Sequence, residues 1–221
     1  MPYFDKWSSD IDRAETLIKS EEYFTEGILV LSCYIGALAR LRYPSETKDW
    51  KSYKKIVAAY SGLSHIYENI DLLFFVQWPK SRFAKDSIYL KVKNHAALCS
   101  LFADHFGDNQ IIKESKDRYQ NRKDLVNIIA NSKSPWFDEN NFIEYIELFS
   151  NNQILYQSLR CDAIHNNEFP LFNSSYNPET NKITYIDNHQ LTRDVLLKTV
   201  RNIVANLKVE SASTGKWPYE L

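Results

Sequence analysis

Glycine and proline are scarce, at five and seven in 221 residues. A typical chain carries about 7% glycine, so there is little material here for phosphate-cradling loops, propeller blades or arrays of hairpins. P-loop, GxGxxG and GxSxG patterns are all missing, which leaves P-loop and Rossmann nucleotide chemistry and α/β-hydrolase chemistry without a motif. Cysteine is sparse too. Cys33, Cys99 and Cys161 are an odd number with no CxxC spacing, which fits a reducing compartment better than a disulfide scaffold. Neither sign of charge is in excess: 27 basic and 28 acidic residues give a formal net charge of −1, so nothing global announces a nucleic-acid or membrane surface. The start, MPYFDKWSSDIDR, lacks the charged-then-apolar order of a signal peptide. The longest apolar stretch, Gly27–Ala39, lies between Glu26 and Arg40 and is shorter than the roughly 20 residues that span a bilayer. It reads as a buried helix of a cytoplasmic protein with no membrane partner.

What is present is apolar and helical in period. Hydrophobic residues make up 44% of the chain and aromatics 14%, enough for a substantial core. Ser8 and Ser9 are placed to cap a first helix carrying Ile11, Ala14, Leu17 and Ile18. A second carries Phe24, Ile28, Leu31, Ile35 and Leu38 and stops before Pro44, and a third carries Trp50, Tyr53, Val57 and Tyr60 up to Gly62. The pattern predicts a fourth helix through Ile66, Ile70, Leu73 and Phe74, closed by Pro79. Further helices are predicted over about 81–106, 110–131, 139–164 and 188–207, the penultimate one with a possible interruption near Asn151-Asn152. LFNSSY and KITYI, flanked by Pro170, Asn177, Pro178 and Asn181, predict a small β-hairpin near residues 170–187. The expected architecture is an all-α bundle: one helical domain over 1–210, additional N-terminal helices, the hairpin, and an extended tail over 211–221.

The near-neutral total hides local polarity. Lys80, Arg82, Lys85, Lys91 and Lys93 against Asp86 give a net +4 over fourteen residues, more often the mark of an ordinary solvated helix face than of the phosphate-backbone track it also suits. Smaller basic groups are Lys48, Lys51, Lys54 and Lys55, and the five bases between Lys113 and Lys123. Asp138, Glu139, Glu144 and Glu147 give the penultimate helix an acidic start, where carboxylates favour the helix dipole. His95 and Cys99 stand at i and i+4, the only spacing that starts a zinc site. Four ligands are not visible, and a cysteine among Ala, Leu and Phe is ordinarily a small core residue.

The segment Leu159-Arg160-Cys161-Asp162-Ala163-Ile164-His165-Asn166-Asn167 combines an arginine and a histidine five positions apart at the end of a long amphipathic helix, before a loop and one last helix. Histidine exchanges protons near neutral pH, and arginine grips two phosphate oxygens at once. An arginine and a histidine so placed also serve simply as a surface charge and a favourable cation at a helix C-terminus. RxxxxH in this setting, with the wording LYQSLRCDAIHNNEF, resembles the signature of the HEPN superfamily of helical ribonucleases and nucleotide-binding proteins, whose pattern is Arg, four to six residues, then His.

The resemblance is best over residues 142–207, with the signature segment at 139–208. It implies a HEPN-like fold and metal-independent endoribonuclease activity with no cofactor. Arg160 and His165 would be catalytic, Asp162 and Asn166 supporting, and the product a 2′,3′-cyclic phosphate. It also implies a homodimer with a composite cleft, an RNA substrate, and a role in toxin–antitoxin or antiviral defence with an antitoxin or regulatory protein. The alternative is a catalytically silent HEPN-like module that binds nucleotide, RNA or a protein. Asn167 stands where nucleotidylation targets of the superfamily carry tyrosine, which disfavours that partner mechanism. On an ideal helix five residues turn through about 140° beyond a full circle, so Arg160 and His165 share a face only if the helix ends or unwinds nearby, or if a two-fold partner supplies a second pair.

Overall fold

A computed structural model describes residues 2–77, 95–107, 116–134 and 137–221. The elements in chain order are α1 (Pro2–Lys19), α2 (Phe24–Arg42), α3 (Asp49–Tyr60), α4 (Ser64–Tyr67), β1 (Asn69–Asp71), α5 (Leu72–Gln77), α6 (His95–Phe106), β2 (Tyr119–Asn121), α7 (Arg122–Asn131), α8 (Glu139–Ile146), α9 (Asn151–Ile154), a π-helical segment (Leu155–Cys161), α10 (Asp162–Asn166), β3 (Phe172–Asn177), β4 (Lys182–Asp187) and α11 (Arg193–Thr214). The protein is mostly helical, as its periodicity predicts. The chain divides into two compact units, Met1–Tyr67 with Ile154–Leu221, and Glu68–Gln153.

In the first unit α2 is the central helix, packed by α1, α3 and α11. By length and composition it would suffice to cross a membrane. Here its stripe of Ile28, Leu31, Ile35 and Leu38 is fully buried among helices, as expected of a core helix. α1 and α2 approach so closely that a Cβ on Gly27 would lie 2.6 Å from the Ile18 backbone nitrogen, which is why that position has no side chain. α1 starts at Pro2, not after the candidate caps Ser8 and Ser9. Phe4 is buried, and Trp7 meets Tyr3 and Tyr34 edge-on. Burying these rings outweighs a serine cap, and the Ser8 hydroxyl instead donates to the Phe4 carbonyl at 3.2 Å.

The hairpin forms as predicted, with Tyr176 opposite Ile183 and Phe172 opposite Asp187. The Asn177 carboxamide oxygen accepts from the N–H groups of Glu179 and Thr180 in its turn. At its base Phe172 and Tyr185 pack on Phe24. The last helix starts later and runs further than expected. Thr192 caps it by accepting from Val195 N–H, and Gly215 ends it at φ +68°. The expected extended tail over 211–221 is therefore corrected: its first residues are helical to Thr214, and Pro218–Glu220 forms a 3₁₀ turn in which the Glu220 carboxylate accepts from Trp217 N–H while Trp217 meets Tyr3.

In the second unit the predicted helices differ from their periodicity. The fourth is split by β1, which pairs antiparallel with β2; of the helix expected over 110–131, residues 110–115 lie outside the described residues, and the described part is helical from Arg122, capped by Asn121. The split follows from Asp71, which is fully buried. Its carboxylate caps Phe74 N–H at 3.1 Å and takes both forks of Arg118 at 3.0 and 2.7 Å. An uninterrupted helix would not place it there. The long helix expected over 139–164 breaks at Ser150, which has extended backbone angles, bridges to Ile70 and caps the next turn through Gln153 N–H. Part of the helix expected over 81–106 lies outside the described residues. Around these elements Ile70, Phe75, Phe102, Ile129, Tyr145 and Phe149 form an aromatic-rich core.

His95 belongs to this core, with its ring 4.5 Å from that of Phe75, Nδ1 2.5 Å from the Tyr145 hydroxyl and Nε2 3.2 Å from Cys99 Sγ. Among the described residues no group of three or more His, Cys, Asp and Glu is arranged to hold a metal ion. Burial pushes the imidazole down to about 4 and the Cys99 thiol up to about 11. The unfolded chain therefore takes up a proton between about pH 6.5 and 4 that the folded chain refuses, and stability falls as pH drops through that window. With allowance for solvent screening the loss is about 2 kcal/mol. Urea denaturation at pH 7 and pH 4.5 checks it: His95→Gln should flatten the acid-side loss, and an unchanged pH profile in that variant would remove His95 as its cause.

Candidate functional site

The signature pair sits in the first unit, on the irregular end of the broken helix. Arg160 lies in the π-helical segment and His165 in α10, with the Asp162 N–H reaching back to the Gln157 carbonyl. Arg160 is thus wound as π-helix, and the α-helical turn from Asp162 carries His165. It then ends sharply. Asn167 adopts a left-handed conformation at φ 53°, and its N–H and that of Glu168 both reach the Asp162 carbonyl.

Arg160 is half-buried, and its setting is unusual for an arginine. The guanidinium carbon stands 5.3 Å from the centroid of the Tyr156 ring and 5.7 Å from that of Tyr53 on α3. Gly36 of α2 lies alongside, where a Cβ would be 3.6 Å from Arg160 Nε. That Nε is buried and has no hydrogen-bond partner, and among the described residues no carboxylate pairs with the guanidinium. Two aromatic faces thus hold the cation by quadrupole attraction and leave its donors uncommitted. The Tyr53 hydroxyl is likewise buried without a partner. Burial raises the Tyr53 phenol well above its ordinary value, and burial together with the Cys161 thiol raises that of Tyr156, so both rings stay neutral beside the arginine.

His165 is exposed on the last helical turn, beside the exposed Ile164, and its side chain makes no hydrogen bond to any described residue. Asp162 is buried, and its carboxylate accepts from the Asn166 amide at 3.3 Å. The two residues that the resemblance implies as supporting, Asp162 and Asn166, thus bond to each other across one turn, because i and i+4 are the positions that a helix stacks together. Lys80, Arg82, Lys85, Lys91 and Lys93 fall outside the described residues. Sequence reasoning missed Tyr53, Tyr156 and Gly36. Tyr53 showed only as a member of an apolar stripe, and nothing in a linear pattern says that a helix 100 residues earlier packs on Arg160.

Chemically, the site offers an immobilised cation with free donors and a solvent-reachable imidazole on the same short stretch of chain. Comparison with known proteins adds nothing to this: no family model, curated protein or solved structure matches the chain.

Proposed function

We propose that the protein is a metal-independent endoribonuclease of HEPN type, acting as a cytoplasmic homodimer. The observation that supports this most is Arg160: a half-buried guanidinium clasped by Tyr53 and Tyr156, with a buried Nε lacking any partner. A structural arginine in such a place would be expected to bond a carboxylate or carbonyl, whereas here the terminal guanidinium nitrogens, which no described residue engages, are left for a phosphate. In the proposed reaction the 2′-oxygen of a ribose attacks the adjacent phosphorus as the bond to the 5′-oxygen breaks. His165 accepts the 2′-hydroxyl proton, and His165 of the partner subunit delivers a proton to the departing 5′-oxygen. Arg160 stabilises the extra charge on the phosphoryl oxygens. The products are a 2′,3′-cyclic phosphate and a free 5′-hydroxyl. A dimer supplies both imidazoles and covers Ile164, which is 40% exposed beside His165. A place in toxin–antitoxin or antiviral defence, with an antitoxin or regulatory partner, belongs to the same proposal.

The test is incubation of the purified chain with structured RNA in EDTA. Cleavage that survives chelation and leaves 2′,3′-cyclic phosphate ends is expected. Cleavage abolished by EDTA, or ends carrying 5′-phosphate, would overturn this chemistry, and tight RNA binding without cleavage would point to the silent module instead.

A further inference from the structure

We propose that Gly36 is part of the phosphate grip: the gap left by its missing side chain is the path by which an oxygen of an RNA phosphodiester reaches Arg160. RNA as the ligand rests on the nuclease reading above, whereas the gap rests on the geometry of α2. Gly36 lies inside that helix, where glycine is less stable than alanine. The fold gives no reason for it. Its backbone is outside the left-handed region that favours glycine. A Cβ there would meet nothing closer, among the described residues outside its own helix, than Arg160 Nε at 3.6 Å and Nη2 at 3.9 Å. Both are ordinary van der Waals contacts. Gly27 on the same helix is the contrast, since a Cβ there would stand 2.6 Å from the Ile18 backbone. Packing demands a glycine at 27 and leaves the one at 36 unexplained.

What Gly36 leaves open is one edge of a cation. Guanidinium N–H groups point outward in the plane of the group, so an acceptor meets them at an edge. Nε and Nη2 share the edge beside Gly36, and Nε is buried without a partner. Tyr53 and Tyr156 hold the guanidinium through their rings, at 5.7 and 5.3 Å, and leave this edge to a ligand. An oxygen has to come within about 2.9 Å of Nη2 to bond it. A methyl at position 36 would stand against both nitrogens and crowd that approach. The acceptor that a permanently charged fork selects is an oxyanion, which in an RNA strand is a non-bridging phosphate oxygen.

The experiment measures binding by anisotropy, at physiological ionic strength, of a short fluorescein-labelled 2′-O-methyl oligouridylate, which lacks the nucleophilic hydroxyl and stays intact. Gly36→Ala should weaken binding by about 10- to 100-fold, the worth of one hydrogen bond to a charged group. The same variant should melt about 1–4 °C higher than the parent, because alanine favours the helix. In an Arg160→Met background Gly36→Ala should change binding by less than about twofold, since the edge it guards is gone. Parent-like binding by Gly36→Ala, an equal loss in the Arg160→Met background, or no binding by the parent chain would each overturn the proposal. If unmodified RNA stays uncut while binding still depends on Gly36 through Arg160, the nuclease reading fails and this one stands. If the parent cuts RNA and Gly36→Ala binds and cuts as the parent does, this one fails and the nuclease reading stands.

Discussion

His165→Ala is expected to slow RNA cleavage by about 10²- to 10⁴-fold, the usual worth of a positioned acid–base group, with little change in stability. The two effects separate because His165 is exposed and makes no hydrogen bond to the described residues, so its removal deletes no packing, and surface changes of that kind stay within about 0.5 kcal/mol. Arg160→Lys is the sharper companion. It keeps the charge but loses the planar fork that Tyr53 and Tyr156 hold, and it should cost about 10²- to 10³-fold in rate. On the proposed mechanism the two groups serve one transition state, so the double variant should be hardly slower than the worse single one. Gel-based rates on a fixed RNA, beside urea denaturation of each variant, check this. Cleavage by His165→Ala at the parent rate would dismiss the imidazole from the chemistry.

Arg118→Met is expected to destabilise the unit Glu68–Gln153 by about 3–5 kcal/mol. The Asp71 carboxylate is fully buried and takes two charge-assisted hydrogen bonds from Arg118. Removing the cation takes the two-pronged Arg118 contact from a buried charge, which costs far more than the pair gains over an apolar replacement. Asp71→Asn in the Arg118→Met background should therefore recover part of the loss, since a neutral amide needs no counter-ion. Urea denaturation followed by tyrosine and tryptophan fluorescence measures both. A loss under about 1 kcal/mol would mean that water solvates Asp71 once Arg118 is gone.

The parts of the fold that could be read in advance are those where a local pattern and the packing agree. The stripe on α2 and the β-prone pieces around Asn177 led to the right elements because burial and turn chemistry are written in neighbouring residues. The errors share a cause of the opposite kind. Apolar spacing through Ile66, Ile70, Leu73 and Phe74 is helical, yet the chain leaves the helix at Asn69–Asp71 to pair with Tyr119–Asn121, a partner that no window of adjacent residues contains. Ser150 broke the penultimate helix for the same reason, through its bridge to Ile70. At the candidate site, Arg160 and His165 were legible as chemistry and spacing. Tyr53 was not, because its role arises only from the packing of α3 on the π segment.

That π segment also changes what the distance between Arg160 and His165 along the chain means. On an α-helix, length and bearing are one variable, since each added residue swings everything after it by about 100°. Hydrogen bonds reaching back five residues take up slack without ending the helix, so Leu155–Cys161 acts as a reservoir of contour length. A residue gained or lost there is absorbed as winding, whereas the same change within Asp162–Asn166 would be transmitted as rotation of the imidazole.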